Sequence, residues 1–103
     1  MSARKTALVI GAGDATGGAI ARRFAREGFV VAPVRRHADK LAPLVAEIEK
    51  AGHAVRPFGV DARDEEQMIG LVEEIERDIG PIEVAVFNIG ANVRFPIHEM
   101  TSR

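Results

Sequence analysis

The chain has 103 residues, a formal net charge of −1 and no cysteine. One domain with a small core is expected, and disulfides, thiolate catalysis and cysteine-ligated zinc are excluded. Apolar residues make up 47% and charged residues 28%, an ordinary globular balance, and the net charge of −1 provides no field to attract nucleic acid or an anionic membrane. The apolar runs fall far short of a membrane span. The run after Arg4 and Lys5 is too short for a signal peptide, so a cytoplasmic location is expected.

Residues 5–10, KTALVI, read as a strand buried on both faces, as in a parallel sheet. A helix is predicted over 17–27: Ile20, Ala21, Phe24 and Ala25 share one face, Arg22, Arg23 and Arg26 lie around the rest, and Gly28 stops it. FVVAPV, 29–34, is the second strand, and Pro33 is expected at a bulge or strand end because it cannot donate to a ladder. A second helix runs from about Asp39 to Ala51, with Pro43 in its first turn and Gly52 beyond its end. AVRPFGV, 54–60, is a weaker third strand. Asp64 caps a third helix, with Gln67 three residues on as in a capping box and Met68, Leu71, Val72, Ile75 and Ile79 as its apolar face. Gly80-Pro81 breaks that helix, and IEVAVFN, 82–88, is the fourth strand. Its segment Val84–Phe87 is apolar on both faces, like an interior strand, and an uncovered outer edge there predicts either self-association through that edge or marginal stability and aggregation.

The order β-α-β-α-β-α-β implies right-handed crossovers and a parallel sheet, an α/β fold of one domain over residues 1–103. In such sheets ligands bind outside the carboxyl ends of the strands, and the first strand–helix turn is the usual phosphate site. That turn here reads GAGDATGG, 11–18. Gly11 would make the turn and Gly17 would allow close approach at the helix start, where unpaired N–H groups favour an anion. Gly13 follows Gly11 by two, but Thr16 stands where the common G-x-G-x-x-G fingerprint needs its third glycine.

The stretch IGAGDATG, Ile10 to Gly17, is similar instead to the TGxxxGxG loop of the short-chain dehydrogenase/reductase family. Gly11 and Gly17 match, while Ile10 replaces the threonine and Ala15 the middle glycine. AIARRFAREGFVV resembles the family's first helix and second strand, and VRRHADKLAPLVAEIEKAG the segment that follows. VDARDEEQM resembles its D-V-(S/T)-D stretch, and FNIG, Phe87 to Gly90, falls where the family has NNAG. The resemblance covers about residues 4–100. It implies a Rossmann-type doubly wound sheet, N-terminal half, with strand order 3-2-1-4. It also implies an NAD(P)(H)-binding portion of an oxidoreductase acting on an alcohol/carbonyl pair. The cofactor-binding positions it implies are Gly11, Gly13, Asp14, Ala15, Thr16, Gly17, Arg35, Arg36, Asp61, Ala62, Asn88, Ile89 and Gly90, with Asp61 meeting the adenine.

An acidic residue after the second strand would bind a ribose 2′-hydroxyl and select NAD. Arg35 and Arg36 stand there instead, and guanidinium pairs well with a 2′-phosphate, which favours NADP over NAD. Asp14 argues the other way, since a carboxylate about 4 Å from a phosphate costs on the order of 4 kcal/mol per charge pair before screening. Two arginines can offset it, or Asp14 can pair with one of them.

Asp61, Asp64, Glu65 and Glu66 are not read as a metal cluster, because Asp64 to Glu66 are explained as the first-turn acids of a capped helix. His37, His53 and His98 have no ligand spacing. The arginines at 22, 23 and 26 lack aromatic interleaving and read as a solvated face, not a nucleic-acid patch. The family's reduction chemistry uses a serine, a tyrosine and a lysine, and this sequence contains no tyrosine. No catalytic residue is therefore assigned. The chain is expected to be inactive alone and truncated before the catalytic segment, with a small-molecule substrate only in a full-length parent. The alternatives are a non-catalytic nucleotide-binding or interaction module on the same fold and, against the sign of Arg35 and Arg36, a methyltransferase fragment.

Overall fold

The computed structural model describes residues 5–11 and 15–88, the side chain of Ala15 apart. Four parallel strands, β1 (Thr6–Ile10), β2 (Val30–Arg35), β3 (Phe58–Gly59) and β4 (Ile82–Phe87), form one sheet in the order β3-β2-β1-β4. Three helices, α1 (Ala15–Arg26), α2 (Ala42–Lys50) and α3 (Glu65–Asp78), carry the crossovers. This is the strand order expected from the sequence, and it follows from right-handed βαβ units added first outward and then back across β1.

β1 is buried along its whole length, so its side chains serve two cores by strand alternation. Val9 meets Val31 of β2, Ala21 and Ala25 of α1, and Leu44 and Ile48 of α2 on one face. Leu8 and Ile10 meet Ala32 and Val34 of β2 and Leu71 and Ile75 of α3 on the other. Alanines at 21 and 25 let α1 lie close against the sheet, while the larger Leu71 and Ile75 hold α3 on the opposite face.

Pro33 is neither at a bulge nor at a strand end. It is fully buried inside β2, paired in register with Val9 of β1. Backbone alternation explains this. Val30 donates to Lys5 and Val34 accepts from Gly11 on the β1 side, whereas Val31 and Arg35 bond toward β3. Pro33 shares the parity of Val31 and Arg35, so its missing N–H falls on the β3 side and the β1–β2 ladder is intact. The loss appears in β3. The expected strand over 54–60 contracts to Phe58–Gly59 plus an isolated Val31–Val55 bridge.

The predicted helix over 39–51 also divides. A 3₁₀ turn, Ala38–Leu41, precedes α2. Pro43 has no N–H to return to the Asp39 carbonyl, and Ala42 donates to that carbonyl instead, the shorter 3₁₀ bond. α1 begins two residues earlier than predicted and α3 one residue after its cap, Asp64.

β4 is tied to β1 at both ends. Thr6, fully buried, donates through Oγ1 to the Gly80 carbonyl at 3.3 Å and through its N–H to Pro81 at 2.8 Å. The register then slips between Thr6–Ile82 and Ala7–Val84, leaving Glu83 as an extra residue. Of the β4 side chains only Val86 is buried; Ile82, Ala85 and Phe87 pack partly against the α3 core. Among the described residues no helix is long and apolar enough to cross a membrane.

Candidate functional site

The carboxyl ends of all four strands converge. β1 ends at Gly11, whose φ of +81° turns the chain away from the sheet and whose N–H donates to Val34 at 2.8 Å. A Cβ here would run into the carbonyl oxygen of Asn88, so glycine is required twice, by the dihedral and by the approach of β4. Asn88 fastens the two strand ends. Its N–H donates to Ile10 at 2.8 Å, and its Nδ2 donates to the Gly11 carbonyl at 3.1 Å.

α1 starts at Ala15, with Thr16 exposed and Gly17 buried in its first turn. No acidic side chain lies in that turn, so the positive end of the helix is left unneutralised by the helix itself.

The ends of β1, β2 and β3 frame an open groove of 230 Å³. Gly11 beyond β1, Arg35 and Arg36 at the end of β2, and Asp61, Ala62 and Arg63 from the segment after β3 line it. Asp61 is held from α3: its N–H donates to Gln67 Oε1 at 3.0 Å, while Gln67 N–H and Nε2 donate to the two carboxylate oxygens of Asp64. The capping box predicted at Asp64 thus reaches three residues further back than its usual form, because Gln67 accepts from Asp61 rather than from the cap residue. Asp61 Oδ1 accepts from the Arg63 N–H at 3.0 Å and from Arg63 Nε at 3.3 Å, and Oδ2 faces Arg36 Nε at 4.0 Å. The bond from the Arg63 backbone, then that from its guanidinium, holds the Asp61 carboxyl below the ordinary carboxylate range. Partial desolvation opposes them, and the charges of Arg63 and Arg36 add to the lowering.

Of the residues singled out from the sequence, Gly11, Arg35, Arg36, Asp61 and Ala62 meet in this groove. Asn88 adjoins it through Gly11, and Thr16 and Gly17 lie in the first turn of α1. Gly13, Asp14, Ile89 and Gly90 lie outside the described residues, and of Ala15 only the backbone is described. Sequence reasoning missed Arg63, although the basic residue where D-V-(S/T)-D has a hydroxyl was a visible departure.

Residues 5–103 match the short chain dehydrogenase family. The chain belongs to the short-chain dehydrogenases. A short-chain dehydrogenase from Rhodopseudomonas palustris matches in structure with a TM-score of 0.76 and 49% identity, over 94% of this chain and 45% of that one. A metagenomic short-chain oxidoreductase in complex with NADP matches with a TM-score of 0.81 and 27% identity, over 87% of this chain and 41% of that one. The 2,3-dihydro-2,3-dihydroxybenzoate dehydrogenase of Bacillus subtilis (strain 168) is 33% identical over 82 residues, 80% of this chain and 31% of its own. The chain therefore spans about a third of that curated relative and under half of the two solved proteins. Short-chain dehydrogenases are oxidoreductases that bind NAD(P), and the fold that carries the dinucleotide is the one described here.

The groove fits such a ligand on its own chemistry. A helix N-terminus without a first-turn acid suits a pyrophosphate. The Asp61 carboxylate offers a hydrogen-bond acceptor, and the guanidiniums of Arg35 and Arg36 suit an anionic group of the dinucleotide.

Proposed function

We propose that this chain is the NAD(P)(H)-binding domain of a short-chain dehydrogenase acting on an alcohol/carbonyl pair, and that it prefers NADP to NAD. The observation that carries the preference is the end of β2, where Arg35 and Arg36 line the groove. A carboxylate there would accept from a ribose hydroxyl and repel a 2′-phosphate; two guanidiniums do the reverse. The NADP bound by the metagenomic relative supports the same reading.

In this assignment Gly13 and the first turn of α1, with Ala15, Thr16 and Gly17, hold the pyrophosphate, with Asp14 beside them. Arg35 and Arg36 hold the 2′-phosphate, Asp61 and Ala62 the adenine, and Asn88, Ile89 and Gly90 lie along the nicotinamide half. Bound, the nicotinamide supplies hydride transfer. The residues of this chain bind and orient; with no tyrosine in the sequence, the family's proton donor is not among them, and binding without turnover is expected of these 103 residues.

Titration with NADPH and NADH, followed by nicotinamide fluorescence, tests this. NADPH should bind about tenfold more tightly, the worth of one charge-assisted contact of roughly 1.5 kcal/mol. Replacing Arg35 and Arg36 together by alanine should remove most of that margin and leave NADH little changed. Equal losses for both cofactors would take the arginines out of this role.

A further inference from the structure

The carboxylate of Asp61 is shared by two arginines from different elements. Arg63 Nε donates to Oδ1 at 3.3 Å and Arg36 Nε stands 4.0 Å from Oδ2, an ion pair without a hydrogen bond, so the two guanidiniums flank one carboxylate. A contact through Nε engages one of the five N–H groups of a guanidinium and leaves the terminal amino groups to another acceptor. Among the described residues, three guanidiniums, those of Arg35, Arg36 and Arg63, line the groove against the single carboxylate of Asp61, an excess of two positive charges in a chain whose formal net charge is −1. That excess matches one doubly ionised phosphate. The backbone of Arg63 is fixed by its own bond to Asp61, and Asp61 is fixed by Gln67 of α3. The Arg63 side chain is well exposed and lines the groove, so its terminal amino groups are open to a ligand from solvent.

We propose that Arg63 is a specificity-determining residue of the dinucleotide site: together with Arg36 it grips the ribose 2′-phosphate from the β3 side, and the Asp61 carboxylate positions both guanidiniums for it. This rests on the NADP reading above and adds a further arginine to it. Two arginines set in advance by one carboxylate lose less side-chain freedom on binding than two free ones. The arrangement also gives Asp61 a positioning duty besides its place at the adenine.

The test separates the phosphate from the rest of the ligand. Calorimetric titrations of the chain use adenosine 2′,5′-bisphosphate and adenosine 5′-monophosphate, which differ only in the 2′-phosphate. Arg63→Ala should weaken the bisphosphate by about fivefold or more, the upper range for an exposed ion pair, and change the monophosphate by less than about twofold. Arg63→Lys, keeping the charge without the fork, should fall between. An unchanged melting temperature in Arg63→Ala shows that the fold is retained. If Arg63→Ala leaves the bisphosphate untouched while the Arg35/Arg36 double alanine variant weakens it, the assignment of Arg63 is overturned and the NADP reading stands. Equal weakening of both ligands by Arg63→Ala overturns it too, placing Arg63 at the adenine. A wild-type chain that binds the bisphosphate no better than the monophosphate overturns the NADP reading and this inference together.

Discussion

Replacing Gly11 by alanine should be far more damaging than the same change at Gly28, although both residues have positive φ, +81° and +99°. At Gly28 an added Cβ meets nothing within 4 Å, so the cost is the left-handed backbone alone, about 1–2 kcal/mol. At Gly11 the same backbone cost applies, and the Cβ also collides with the Asn88 backbone, whose carbonyl carbon would be 2.9 Å away. A backbone carbonyl cannot rotate aside as a flexible side chain would. The ends of β1 and β4 must part, at an overpacking cost of about 1–3 kcal/mol. Parting them strains the Asn88 N–H bond to Ile10 and the Asn88 Nδ2 bond to Gly11, each worth about 1 kcal/mol net. The expected loss is about 2–7 kcal/mol at Gly11, depending on how far the two bonds are lost, against about 1–2 at Gly28. A domain of this size has roughly 5–15 kcal/mol in total. Urea unfolding followed by far-ultraviolet circular dichroism measures both. NADPH titration of Gly11→Ala should also show weakened binding, because the turn that leads into α1 moves. Equal destabilisation by the two variants would refute the contact between the ends of β1 and β4 as the reason for glycine at position 11.

The depressed Asp61 carboxyl makes stability depend on pH with a definite sign. Its contribution is present above the ordinary value of 3.8 and is lost as pH falls through a folded value lying below that. Asp61→Asn should therefore melt lower than wild type at neutral pH, with the gap closing as pH falls below 3.8 and through the lowered folded value; a gap that persists unchanged into strong acid would refute the charge-based account. At the other edge of the sheet, β4 pairs with β1 and with no other strand among the described residues. Association of two copies through this strand should appear as concentration-dependent sedimentation, weakened by Val84→Lys at its half-buried outer position. Val86 is only 8% exposed, so Val86→Lys should unfold the chain rather than solubilise it, at a cost of several kcal/mol for an unpaired buried charge. A monomer at all concentrations, or a well-folded Val86→Lys variant, would refute these two expectations respectively.

Alternation of strand and helix, the two-sided burial of β1, the Asp64 cap and the arginines at the end of β2 were legible in the sequence, because each depends on residues within a turn or two of one another. Hydrophobic period and capping are local, and a resemblance spread over nearly the whole chain carried the strand order with them. Events between distant segments were not legible. Pro33 looked like a strand end because its missing donor could be counted but not aimed; which side of β2 it faced was settled only when β1 and β3 took their places. The break at Pro43, the slip at Glu83 and the shortening of β3 are likewise adjustments of hydrogen-bond register, which a sequence pattern does not encode. The site divides in the same way. Gly11 could be read as a turn glycine, but the Asn88 carbonyl that forbids a side chain there comes from 77 residues away. Asp61 could be placed near a ligand by resemblance, yet its attachment to α3 through Gln67 and its position between Arg36 and Arg63 exist only because β2, β3 and the start of α3 end side by side. Local chemistry chose the residues, and the packing of non-adjacent strands decided which of them share one groove.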